Sequence, residues 1–191
     1  MNKILYAVYV GVLVIFLQSC AIESMDSLVR KPDYDFASIK KVAVLDFNDT
    51  TTTPGSGALV SELFEENLLK AGYIVIDHNE LTKLLNSKNL SKEVFLSKRN
   101  IIDLKNEAGI DAVITGIITK AISEQYLYHA ELTSFVAAQA ELNCQLISTS
   151  NYDVLWSGSS SYDAMNLQTA FEYMTGSIIK RMVRDIHLTK K

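Results

Sequence analysis

The sequence predicts an α/β fold, a mixed-sheet α/β sandwich with the element order β-α-β-α-α-β-β-β-α. Three patterns carry this expectation. Val42 to Leu45 is a short apolar run typical of a strand buried on both faces. Leu59, Val60, Leu63, Phe64, Leu68 and Ala71 follow at helical spacing, and Tyr73 to Ile76 is apolar again, so the segment reads as a right-handed crossover joining two parallel strands. Further on, Val136, Ala138, Ala140, Leu142, Cys144 and Leu146 alternate with Gln139, Glu141, Asn143 and Gln145, the period of a half-buried antiparallel strand. Near the C-terminus, Leu167, Phe171, Met174, Ile178, Met182 and Ile186 form the apolar stripe of one long amphipathic helix.

The remaining elements follow from local signals. The first strand runs into a loop, Asn48 to Gly57, containing four consecutive threonines. Gly72 suits the left-handed residue that ends the first helix. Asn79 is expected to cap a short helix through Leu84 and Leu85. Asn100 is expected to cap another that runs from Ile101 to Ala108 and stops at Gly109. Asp111 to Ile118 returns to a buried strand. Ser148 to Asp153 is a turn in which Asn151 is expected to take positive φ, and Val154 to Ser160 is the return strand of a hairpin.

Composition narrows the function. With 191 residues, 48% of them hydrophobic and 21% charged, the chain can bury the core of one domain. The formal charge of −4 offers no basic field, so nucleic acid is not an expected partner. Two cysteines, Cys20 and Cys144, match no zinc spacing and no disulfide framework.

Lys3, an uncharged run from Ile4 to Leu17, and Gln18-Ser19-Cys20 have the n-region, h-region and small-residue end of a secretory signal. Fourteen helical residues reach only about 21 Å, short of a hydrocarbon core of roughly 30 Å, so the run does not span a membrane. Leu17-Gln18-Ser19-Cys20 resembles the bacterial lipobox, with Gln18 in place of the commonest small residue. That resemblance implies that residues 1–19 are removed and that Cys20 carries acyl chains, palmitate among them. Ala21 resembles the pattern sorted to the outer membrane. Residues 20–38, with Pro32 and mixed charges, then read as the lipidated N-terminus and tether, and 39–191 as the periplasmic domain. Cys144 would be the single thiol of the mature chain.

Enzymatic chemistry has little to build on. His78, His129 and His187 stand in no metal-ligand spacing. Thr53-Pro54-Gly55-Ser56-Gly57 precedes a helix but lacks the P-loop lysine, so it reads as a glycine-rich helix entry. Asp46, Asp49 and Asp77 sit at strand ends, where carboxylates cap or solvate loops more often than they catalyse. Cys144 and Trp156 read as core. No catalytic residue, metal site or cofactor is expected.

Asp35-Phe36-Ala37-Ser38-Ile39-Lys40-Lys41-Val42-Ala43-Val44-Leu45-Asp46-Phe47 is similar to the opening of the CsgG-type curli-secretion lipoproteins and of the LpoB-type activators of penicillin-binding proteins. Three further stretches match in order: Gly72 to Asp77, Ala108 to Gly116, and Ser148 to Gly158. The resemblance implies an anticodon-binding-domain-like sandwich, no catalysis, and a place in the cell envelope. Two readings follow from it. In the first, a lipid-anchored periplasmic module binds an envelope protein. In the second, an oligomeric outer-membrane channel inserts hairpins from each subunit. Only Ile117 to Leu146 is available for insertion, enough for one hairpin, with Ala138 and Ala140 as a weak lipid face. Tyr126, Tyr128 and Phe135 are the candidate contact residues, either partner-facing or core aromatics or an interfacial girdle.

Overall fold

The computed structural model describes residues 28–76, 78–87, 97–128 and 133–187; for residues 28, 78–79, 85–87, 98–99, 125–128, 133–136 and 186–187 it describes the backbone alone. Seven strands form one mixed sheet: β1 (Leu28–Arg30), β2 (Lys41–Val44), β3 (Asn48–Asp49), β4 (Ile74–Val75), β5 (Ala112–Tyr128), β6 (Thr133–Ser148) and β7 (Val154–Ala164). The helices are α1 (Ser56–Lys70), α2 (His78–Ser87), α3 (Lys98–Ala108) and α4 (Leu167–His187). The strand order is β1-β7-β6-β5-β2-β4, with β3 on the edge of β5 beyond β2. β2 pairs in parallel with β4 and β5, as the crossover pattern predicts, while β5, β6 and β7 are antiparallel neighbours. All nine expected elements are present in the expected order.

Alternation along the central strands separates two cores. Val42, Val44, Ala112 and Ile114 face α1 and α4, meeting Val60, Phe64 and Leu68 of the first helix and Phe171, Met174, Ile178 and Met182 of the last. Ala43, Leu45 and Val113 face the other way and meet Leu81 of α2 and Leu104 of α3. Double-sided burial explains why these strands read as continuous apolar runs. The larger core holds Trp156 and a stacked Phe47–Phe64 pair whose ring centroids are 4.8 Å apart. Each such ring removed from water contributes about 1.5–3 kcal/mol. Ser61 ties α1 to the end of β2, its hydroxyl accepting from Phe47 N at 3.0 Å and donating to Gly57 O at 2.9 Å.

Several local expectations are corrected. Residues 28–38 are no tether: β1 pairs with β7, Leu28 opposite Gly158 and Arg30 opposite Trp156, and a 3₁₀ turn, Phe36–Ser38, buries Phe36. A three-residue edge strand is too short to show a period, so its pairing was invisible in the sequence. α2 begins at His78, which puts Asn79 inside its first turn. The N-cap of α3 is Ser97, whose Oγ accepts from Asn100 N at 3.5 Å; Asn100 is itself helical. In the 148–153 turn Tyr152 takes the positive φ of 67°, not Asn151. Asn151 is occupied by its side chain instead, whose Oδ1 accepts from Asp153 N at 3.2 Å while Nδ2 donates to the Asp153 carboxylate at 2.6 Å. Gly72 and Gly109 do take the left-handed conformation after α1 and α3, with φ of 89° and 63°.

Two residues of the Ala108–Gly116 stretch have definite structural tasks. Asp111 clips the start of β5 to β2: its Oδ2 accepts from Lys40 N and Lys41 N, each at 2.9 Å, and it pairs with Lys105. Burial alone would raise the Asp111 pKa, but the Lys105 and backbone hydrogen bonds outweigh it and hold the carboxyl below its usual range. Gly116 must lack a side chain, because a Cβ there would lie 2.2 Å from Asn143 O and 2.4 Å from Phe47 Cε1.

Gly116→Ala is expected to destabilise by about 1–3 kcal/mol or more through overpacking, read as a lower melting temperature with the far-UV spectrum retained. Because the Asp111 carboxyl is depressed on folding, its contribution is complete above the ordinary carboxylate range and fades as pH falls through its folded-state value. Asp111→Asn is therefore expected to cost stability at neutral pH and to flatten the acid limb of a stability–pH curve. An unchanged acid limb would remove Asp111 from that role.

Candidate functional site

Two of the residues suspected of chemistry, Asp49 and Cys144, have structural roles. The Asp49 carboxylate sits at the entry to α1, accepting from Thr51 N at 2.8 Å, Thr51 Oγ1 at 2.6 Å and the Ser56 hydroxyl. Burial pushes its pKa up, and the Ser56 and Thr51 hydrogen bonds more than reverse this, so the group stays ionised. An anion at this helix N-terminus would meet a negative charge already in place, which removes the phosphate-loop reading. Gly57 is required here for close approach, since a Cβ would fall 2.4 Å from Phe47 O. Cys144 is buried in the larger core, its thiol pKa pushed up to about 12 by desolvation despite a contact to Gly158 O at 3.6 Å. It is inert packing. Asp77, His129 and Cys20 lie outside the described residues, as do the side chains of His78 and His187. Among the described residues no group of three or more histidine, cysteine, aspartate or glutamate side chains could hold a metal ion.

What remains is a surface, and the hairpin of β5 and β6 builds it. Their ladder runs without a break in pairing from Ala112 opposite Ser148 to Tyr128 opposite Thr133, apart from one register shift between Ile118 and Lys120. Every neighbouring strand stops earlier: β2 at Ile114, β3 at Ile118, and β7 at Ala138. The threonine loop takes over for a few residues where β3 ends. Thr50 Oγ1 donates to Ile118 O at 2.8 Å and Thr53 Oγ1 to Ala121 O at 3.0 Å, satisfying carbonyls that a strand would otherwise pair. Beyond Ser123 and Ala138 the sheet is a two-stranded ribbon for five further residues on each strand, an overhang of about 17 Å.

Register places Tyr126 opposite Phe135, and Tyr128 two residues beyond Tyr126, so the three aromatic positions share one face at the distal end. Their side chains lie outside those described. Ala138 and Ala140 are not a lipid face: both are buried, Ala140 in the core beneath α1 and α4. At the root of the ribbon a groove of about 620 Å³ is lined by Ala137, Tyr162, Ala164, Met165 and Thr169 among others. Met165 is 75% exposed, and Tyr162 stacks on the partly exposed Tyr173 at 4.1 Å. A second hollow of about 500 Å³ on the open sheet face is lined by Asn48, Thr115, Asn143, Gln145 and Ser157, with no charged side chain. The sequence had flagged the aromatics but not this groove, whose parts come from three separate elements.

No helix among the described residues is long and apolar enough to cross a membrane. Among curated proteins none matches this sequence. In fold, the chain is similar to the PelC dodecamer subunit from Paraburkholderia phytofirmans, with a TM-score of 0.58 at 13% identity over 83% of this chain and 95% of that one. It is also similar to lipoprotein GNA1162 from Neisseria meningitidis, with a TM-score of 0.53 at 18% identity over 78% and 98% of the two chains. The LpoB C-terminal domain from Escherichia coli aligns more loosely, at a TM-score of 0.46 and 16% identity over 64% and 81%, and adds nothing to the fold assignment. The expected mixed α/β architecture thus agrees with the fold of known proteins, a lipoprotein among them, while the curli-secretion resemblance is corrected by the family match. Residues 23–164 match the family described as FlgO protein, well over half of the chain, and the chain belongs to that family.

Proposed function

We propose that this chain is a non-catalytic lipoprotein, anchored in the outer membrane through Cys20 with its domain in the periplasm, that serves as a protein-binding and assembly module of the bacterial envelope. The observation that carries this reading is the overhanging ribbon. Beyond the threonine loop, the outer edge of β5 and the first residues of β6 have no strand beside them among the described residues. Bare strand edges are templates for adding another strand, and a two-stranded ribbon alone is marginal in water. A chain that keeps such an edge has a use for it.

Copies of the same chain are suitable partners. The two edges of one ribbon differ, so joining the β5 edge of one copy to the β6 edge of the next is a head-to-tail contact, which closes into a ring when the rotation allows. PelC, which shares the fold, is described as a dodecamer, in keeping with such an assembly. The groove at the ribbon root, with exposed Met165 and half-exposed Tyr173, supplies apolar area beside the edge. A second protein of the envelope would use the same elements.

Gentle detergent extraction followed by native mass measurement tests this. A multimer or a stoichiometric complex with an envelope protein is expected, and a lone monomer across micromolar concentrations would end the assembly reading. Met165→Glu is expected to weaken the assembly at least tenfold with stability changed by no more than about 0.5 kcal/mol, as for an exposed position. For the anchor, Cys20→Ser is expected to move the protein from the membrane to the soluble fraction, and equal retention would count against lipid attachment.

A further inference from the structure

The direction of β1 has a consequence for where the ribbon points. β1 is antiparallel to β7, which is antiparallel to β6, so β1 runs in the same direction as β6. β6 begins at the distal end of the ribbon. The chain therefore enters β1 at Leu28 from the end of the sheet at which the ribbon overhangs.

The lengths can be compared from one level of the sheet. Leu28 stands opposite Gly158, which stands opposite Cys144. From Cys144 to Thr133 is eleven residues of β6, about 37 Å of strand. From Leu28 back to Cys20 is eight residues, which span at most about 29 Å when fully extended. Measured from the level of Leu28, the distal end of β6 lies farther out than the tether can reach. With Cys20 held at a bilayer and the tether drawn out along the strands, the distal end of the ribbon reaches the bilayer surface; a slack tether brings it closer still.

Resting on the lipid-anchor reading above, we infer that the distal end of the β5–β6 ribbon, at the positions of Tyr126, Tyr128 and Phe135, lies on the lipid leaflet that holds the acyl chains of Cys20. The composition of this stretch suits such a surface. Between Gln125 and Val136 there is no lysine or arginine and a single carboxylate, Glu131, so little charge has to be desolvated. Tyrosine and phenylalanine are the side chains that gain from a boundary with one wet and one apolar side. The tip thus acts as a second, protein-borne contact that fixes the tilt of the domain, while the ribbon edges stay free for neighbouring copies. Contact with a protein at the tip is the competing outcome.

The test uses the full, natively lipidated chain in phosphatidylethanolamine–phosphatidylglycerol vesicles. Buried Cys144 and acylated Cys20 leave an introduced cysteine as the one reactive thiol. Tyr128→Cys and Thr133→Cys, each labelled with an environment-sensitive nitrobenzoxadiazole dye, report the ribbon end. Ser150→Cys, in the exposed turn at the opposite end of the sheet, is the control. Severalfold quenching by doxyl-labelled lipid at positions 128 and 133, with none at 150, is the expected result. With Cys20 shown by mass spectrometry to be acylated, unquenched dye at 128 and 133 overturns the membrane contact and leaves the anchor standing. Blue-shifted emission that lipid quenchers do not reach also overturns it, in favour of a protein at the tip. An unmodified Cys20 in the membrane-derived protein overturns the anchor reading and this inference together.

Discussion

The antiparallel pairing of β5 with β6 is the constraint on which the structure depends. On one side of it lies the parallel part of the sheet, β2, β3 and β4; on the other lies the antiparallel part, β7 and β1. Among the described residues no other strand pair joins the two halves. The same ladder supplies Ala112, Ile114, Ile118, Ala140, Leu142, Cys144 and Leu146 to the core beneath α1 and α4. Those helices meet each other as well, with Asn67 Nδ2 donating to Thr175 Oγ1 at 3.2 Å and to Leu63 O at 2.8 Å. Register matters more here than in a shorter hairpin, because a slip of one residue would exchange this apolar row for Gln139, Glu141, Asn143 and Gln145.

The polar side chains near the sheet ends are spent on holding that arrangement. Asp111 gathers two backbone amides and a lysine, Asp49 secures the entry to α1, and Thr149 Oγ1 donates to Ile110 O at 2.6 Å. Lys31 pairs with Asp153 and fastens the β1 segment to the turn before β7. Among the described residues, the remaining surfaces include a bare-edged ribbon, an apolar groove at its root and a neutral polar sheet face.

Periodic segments were legible in the sequence: the buried strands, the half-buried β6 and the stripe of α4 each repeat their apolar residues often enough to be read. Glycines that end helices were legible too, since the left-handed conformation at Gly72 and Gly109 is demanded locally. Caps were less so. Asn79 and Asn100 satisfy the same chemical signal as Ser97, and only the packing of Ile101 and Leu104 selects where α3 starts. The true length of the hairpin was half legible, because its distal residues carry no core pattern to mark them as strand. Of the candidate site, the aromatic residues were visible as residue types, but nothing local told that Tyr126 and Phe135 stand opposite each other.

Sequence by itself determined the class of fold, the order of its elements and the faces they bury, because apolar periodicity is a property of the chain taken a few residues at a time. Tertiary structure alone decided that residues 28–30 join the sheet, that the ribbon outruns its neighbours, and that the chain enters β1 from the same end. Each of these depends on which strand lies beside which, and the β1–β7 pairing joins residues more than a hundred positions apart, beyond the reach of any local pattern.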